Sequence, residues 1–145
     1  MIQITVINVA ETLPLRQQIL RPGGEPSSCQ FLGDTDHSTQ HLGAYLHGDL
    51  VGIVSVYARS HQGLGNHGFQ LRAMAVAEAA RGKQVGLKLL RAAEEAAFAA
   101  GADYLWANAR ANALGFYEKA GFRVVGDEFD IEGVGAHWLV FRENS

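Results

Sequence analysis

Apolar and polar residues alternate over residues 2–7, the period of a strand with one face against a core. Residues 11–20 read as a short helix, in which Pro14 is tolerable only in the first turn. Residues 21–28 hold two of the three prolines and form a loop, and a polar stretch follows over 34–40. Alternation returns over 41–47, Gly48-Asp49 marks a tight turn, and 50–58 continues as the returning strand of a hairpin. The glycine-rich residues 62–68 read as a mobile loop.

The second half alternates strands with helices. Residues 69–76 are strand-like. Val85, Leu89, Ala93 and Ala97 then recur at fourfold spacing, and Leu90 and Phe98 widen the stripe, while Lys83, Lys88, Arg91, Glu94 and Glu95 lie mostly elsewhere. This predicts a long amphipathic helix with Gly101 as its stop. A buried strand over 102–108, a short helix over 113–120 ended by Gly121, and strands over 122–126 and 137–141 complete the chain. Such an order implies a mixed α/β (α+β) sheet with helices on its faces. Without repeats, a linker or a low-complexity tract, a single domain over 1–145 is expected.

Composition narrows the chemistry. At 145 residues, 48% of them hydrophobic, the chain can fill one core without disulfides or metals. Its net charge is −3 and its Lys and Arg are scattered, so neither nucleic acid nor an anionic membrane is an expected partner. Cys29 is the only cysteine and cannot form an intrachain disulfide, which agrees with a reducing compartment. The first residues lack a basic leader pattern and no apolar run reaches membrane-spanning length, so a cytoplasmic protein acting on small molecules is expected.

The segment with most chemistry runs from Met74-Ala75-Val76 into Arg81-Gly82-Lys83-Gln84-Val85-Gly86 and the long helix. An apolar strand enters a turn rich in free backbone N–H groups, and the positive end of a helix dipole faces the same spot, which suits an anionic phosphate. Downstream lies Gly115-Phe116-Tyr117-Glu118-Lys119-Ala120-Gly121-Phe122, where a phenol could give or take a proton. Together these residues resemble the GNAT superfamily of N-acetyltransferases, which move acetyl from acetyl-CoA to an amine. The match is best over 70–122. The family's cofactor signature is Arg/Gln, two residues, Gly, one residue, Gly/Ala. Here Gln84 replaces the central glycine, and it can donate its backbone N–H if its dihedrals stay helical. A narrower resemblance, carried by Leu20-Arg21-Pro22-Gly23, Asn108-Ala109-Arg110 and the His137 region, is to a bacterial branch called ElaA-like.

The resemblance implies a GNAT-type acyl-CoA N-acyltransferase fold, with a central, mostly antiparallel sheet that splays between strands 69–76 and 102–108. Acetyl-CoA, the expected cosubstrate, would lie in the gap. Met74, Ala75 and Val76 would offer main-chain contacts to its pantetheine arm, and Arg81, Gly82, Lys83, Gln84, Val85, Gly86 and Leu87 would hold its pyrophosphate. Asn108 could reach the same ligand. Arg110 stands where relatives often carry Asn, and Asn112 is an alternative contact. Tyr117 is expected to protonate the leaving CoA thiolate.

The base that deprotonates the amine is open among His137, Asp127, Glu128, Asp130, Asp34, Asp36 and His37. No metal site is expected, and Cys29 lacks an activating partner. The acceptor pocket would draw on residues 21–31, the loop 59–68 and the last hairpin. Arg21 and Arg72 favour an acidic amine; Asp34, Asp36, Asp127, Glu128 and Asp130 favour a cationic one. The expected function is acetylation of a small-molecule primary amine in a ternary complex. A non-catalytic acyl-CoA sensor and a peptide or protein acetyltransferase are the alternatives. Exposed strand edges also allow a homodimer.

Overall fold

The computed structural model describes residues 1–144, and of Pro26 the backbone only. Seven strands, β1 (Ile2–Ile7), β2 (Gln40–Leu46), β3 (Asp49–Tyr57), β4 (Gly68–Val76), β5 (Tyr104–Arg110), β6 (Arg123–Ile131) and β7 (Gly135–Glu143), form one sheet in the order β1-β2-β3-β4-β5-β7-β6. All neighbours are antiparallel except β4 and β5. Helices α1 (Val9–Leu15), α2 (Val85–Ala99) and α3 (Leu114–Lys119) complete the mixed α/β architecture that the element order implies. No helix among the described residues is long and apolar enough to cross a membrane.

Strand alternation sorts the side chains between two faces. Leu42, Val54, Leu71, Leu105, Ala107 and Ala109 pack in the core that also holds Val85, Leu89 and Ala93 of α2. Ile53 and Ala75 belong instead to a second cluster with Leu15 of α1, so α1 and α2 cover opposite faces of the sheet. Gly52 lets α2 settle closely. A Cβ there would meet Val85 Cγ1 at 2.8 Å and Leu89 Cδ1 at 2.9 Å, so the first turn of α2 rests on β3 beside Val76. Gly101 is the expected stop: its φ is +98°, its N–H donates to Phe98 O and that of Ala102 to Ala97 O, a Schellman closure.

Local chemistry moves several boundaries. The Asn8 side chain accepts from Glu11 N–H and the Glu11 carboxylate accepts from Asn8 N–H, each at 3.0 Å. This capping box starts α1 at Val9, two residues before the expected position, and places Pro14 in the second turn rather than the first. The ring cannot continue a regular helix, and the chain widens at once into a π turn over Arg16–Leu20. The first hairpin turns at His47-Gly48, both with positive φ, one residue earlier than the sequence suggests. The last hairpin is much longer than 122–126 and 137–141, because Asp127–Ile131 continue β6 along the sheet edge.

The π turn carries a fully buried Arg16. Its guanidinium donates to both Asp34 oxygens, at 2.7 and 3.0 Å, to Cys29 O at 2.9 Å, to Ser55 Oγ and to Tyr57 Oη. Tyr57 O–H donates to Asp34 Oδ1, and Phe31 N–H donates to Oδ2 at 2.8 Å. His41 Nε2–H donates to Asp34 O at 2.9 Å, so Nδ1 accepts from Ser55 O–H at 2.6 Å. Burial alone would raise the Asp34 carboxyl, but the Arg16, Tyr57 and Phe31 donors outweigh it and hold the pKa at about 2. Burial and the Asp34 hydrogen bond push the Tyr57 phenol up to about 12. The network fastens α1 and the loop after it to β3.

Removing one partner leaves a buried charge uncompensated, so Asp34→Asn is expected to cost about 3–5 kcal/mol in urea unfolding at pH 7. Because the folded pKa of Asp34 lies below its unfolded value, this contribution is complete above about pH 4. It is lost as pH falls toward about 2. The variant is therefore expected to flatten the acid limb of a stability-against-pH curve.

Candidate active site

β4 and β5 pair in parallel over three residue pairs only, Gly68↔Tyr104, Phe69↔Leu105 and Gln70↔Trp106, and then separate. The break coincides with a bulge. β4 slips against β3 between Ile53 and Ser55, and Ala73 adopts a left-handed φ of +59°. Beyond it, Ala75 and Val76 pair with Ile53 and Gly52 of β3, while the β5-facing edge of Met74–Val76 has no strand partner among the described residues. A groove of about 670 Å³ fills the resulting wedge.

One side of the wedge meets the start of α2. Val85 opens that helix with no side-chain cap, and its first internal bond is Lys88 N–H to Gln84 O at 3.1 Å. The N–H groups of Val85, Gly86 and Leu87 are thus left for an external acceptor at the positive end of the dipole. Gln84 is not helical, contrary to the condition set on it from the sequence. It lies at φ +62°, ψ +21°, the left-handed region that a glycine enters freely. The turn therefore forms here with strain in place of a glycine. A smaller hollow lies over the same turn, lined by Val76, Arg81, Gly82, Gln84, Val85, Gly86 and Leu87.

The main groove brings together Met74, Ala75, Val76, Arg81, Gly86, Asn108, Asn112 and Tyr117 of the expected site. Lys83 lines neither hollow and is exposed. Asn108 and Arg110 alternate with Ala107 and Ala109, so their side chains leave β5 on the face opposite α2.

Tyr117 is buried between Phe116 and Phe122, each with its ring centroid at 5.4 Å, and reaches the groove wall. Gly121, at φ +100°, closes α3 beneath it through Phe122 N–H to Tyr117 O at 3.0 Å. Burial raises the phenol's pKa, so it stays protonated across the neutral range.

Of the open base candidates, only His137 lines the groove. It pairs with Arg110 across β5 and β7, and its Nδ1–H donates to Gly135 O at 2.8 Å, which leaves Nε2 as the ring's acceptor. Asp34 is committed to Arg16. Asp36, His37, Asp127, Glu128 and Asp130 are exposed and outside the groove. The pocket is also narrower than the sequence suggests: residues 59–68 do not line it, whereas Arg21, Phe31 and the hairpin residues Ile131 and Val134 do. Cys29 is buried and does not line it.

A splayed β4/β5 pair with an uncapped helix start beside it is the arrangement that the resemblance to acyl-coenzyme A transferases implies, and comparison with known proteins supports that class. The model of the Acetyltransferase (GNAT) family matches residues 11–122. A Bacillus subtilis (strain 168) protein, described as the uncharacterized N-acetyltransferase YitI, is 32% identical over 143 residues, covering 98% of this chain and 96% of the relative. Among solved structures, Escherichia coli ElaA superposes with a TM-score of 0.81 at 22% identity over 99% of this chain and 100% of its own. An aminoglycoside 6'-N-acetyltransferase complexed with coenzyme A gives 0.79 at 15% identity, over 97% and 96%. The chain belongs to the GNAT acetyltransferase family and is an acetyltransferase.

A left-handed conformation costs a non-glycine residue about 1–2 kcal/mol, partly offset in a glycine variant by its greater unfolded-state entropy. Gln84→Gly is expected to raise the unfolding free energy by about 0.5 kcal/mol, read as a higher urea midpoint at unchanged slope. A lower midpoint would contradict the assigned strain.

Proposed function

We propose that this acetyltransferase takes acetyl from acetyl-CoA and passes it to a primary amine of a small molecule by direct attack in a ternary complex. The observation that carries this reading is the groove itself, which joins the uncapped start of α2 to Tyr117 and His137. The pyrophosphate would rest on the N–H groups of Val85–Leu87 beside Arg81 and Gly82. The two amides of the pantetheine arm would pair with the free edge at Met74–Val76, as an added strand does. Holding thioester and amine in one wedge converts a bimolecular encounter into an intramolecular one. A coenzyme-bound neighbour of the same fold, the aminoglycoside 6'-N-acetyltransferase, supports the choice of donor.

The chemistry divides between two side chains. The amine nitrogen attacks the thioester carbonyl, a C–N bond forms, and the C–S bond breaks to release thiolate. Tyr117 O–H gives its proton to the sulfur. His137 Nε2 takes the proton that the amine sheds, directly or through water, with its ring held by the Nδ1–H bond to Gly135 O. Exchange with solvent returns both residues to their starting forms.

Tyr117→Phe is expected to lower kcat by roughly a hundredfold while the Kd for CoA, measured by calorimetry, stays within about twofold. His137→Gln should lower kcat without weakening CoA. Unchanged turnover removes the residue concerned from the mechanism. Because the phenol's pKa is raised, its ionisation should cause no loss of activity below about pH 10. A panel of small amines and peptides, followed by thiol release, separates a metabolite enzyme from a peptide acetyltransferase.

A further inference from the structure

The two mouths of the wedge carry different chemistry. On the face covered by α2 lie the helix start and Tyr117. On the opposite face lie Phe31, Arg72, Arg110 and His137, by strand alternation and by the packing of the π turn on β4. Arg72 precedes Val76 by four residues, about 13 Å along an extended strand. It therefore sits well away from the turn that begins at Arg81.

Phe31 forms the floor of this second mouth. The Arg72 guanidinium lies 4.4 Å from its ring centroid, Arg16 4.5 Å and Arg21 6.0 Å. Of these cations only Arg16 has a counter-ion, the buried Asp34. Among the described residues, no ion pair includes Arg21, Arg72 or Arg110, and no Asp or Glu lines the groove. Half-buried Arg72 is pushed down in pKa by burial and by the Arg59 and Arg16 charges, against partial support from Tyr57 and Asp34. A cationic acceptor would add to this repulsion. An oxyanion would relieve it and match the guanidinium fork.

Resting on the acetyl-transfer reading above, we propose that the acceptor is an anionic amine. Its carboxylate or phosphate is held by Arg72 and Arg21 over Phe31, and its amino group is directed past His137 toward the thioester. This selects the acidic acceptor left open by the sequence over polyamines and aminoglycosides. Asp34, which had weighed toward a cation, is spent on Arg16 beneath the floor.

The test uses the whole chain with acetyl-CoA and reads thiol release, after calorimetry has established CoA binding. α-Amino acids, their carboxamides, phosphoethanolamine, spermidine and kanamycin serve as acceptors. The expected result is a kcat/KM at least about tenfold higher for a carboxylate or phosphate amine than for neutral counterparts or polycations; the better of the two anions identifies the group. Arg72→Gln should raise KM about tenfold or more, leave kcat and CoA affinity nearly unchanged, and erase the preference for acid over carboxamide. Arg72→Lys should restore only part of it. If Arg72→Gln does not fold, Arg21→Gln reads the same shift. CoA binding with preferred turnover of spermidine or kanamycin, equal rates for acid and carboxamide, or no turnover of any anionic amine overturns the inference. Failure to bind CoA instead removes the acetyl-transfer reading on which it rests.

Discussion

The interruption of pairing between β4 and β5 is the constraint on which the site depends. Parallel strands joined through a helix would ordinarily zip along their length, with each buried amide satisfied by its neighbour. Here the bulge at Ala73 turns β4 away after Gln70, and β5 continues against β7 alone. Unpaired main-chain groups in a sheet interior are costly unless something else bonds them. A ligand with amides of its own meets that requirement, and α2 delivers its free N–H groups to the same opening because Gly52 lets the helix sit down on the sheet.

The opposite face is held by a different kind of force. Arg16, Asp34, Tyr57, Ser55 and His41 form a buried polar network in which almost every donor finds its acceptor; Arg16 Nε is the buried side-chain atom without one among the described residues. Such networks fix geometry more than they add stability. This one sets the height of Phe31, through its N–H to Asp34 and through the guanidinium beneath its ring, and so places the floor against which Arg72 and Arg21 lie. In the proposed reaction, the sheet thereby separates a phosphate-binding edge built from backbone from an acceptor edge built from side chains.

Much of this was legible in the chain. Alternation and fourfold spacing reveal the strands and α2, and the Arg81–Gly86 turn between Met74-Ala75-Val76 and Tyr117 points to the family. The rest was hidden for physical reasons. Asn8 and Glu11 spell a capping box that would have placed the start of α1 correctly. Asp127–Asp130 fall outside the expected strands because an edge strand exposed to solvent needs no apolar alternation. The left-handed Gln84 cannot be read from a residue type that disfavours that region. A fully buried Arg16 defeats any argument from polarity, and with it the sequence's tally of free acidic groups. The acceptor nitrogen on His137 emerges only when the Nδ1 bond to Gly135 is seen.

The most direct test of the wedge is backbone-amide NMR of the full chain titrated with CoA. The amides of Met74 to Val76 and of Val85 to Leu87 should shift together and gain protection from hydrogen exchange, while those of the edge strand β6 stay unchanged. Saturable binding that leaves both segments unperturbed would contradict the claim that the broken β4/β5 pairing is where the coenzyme lies.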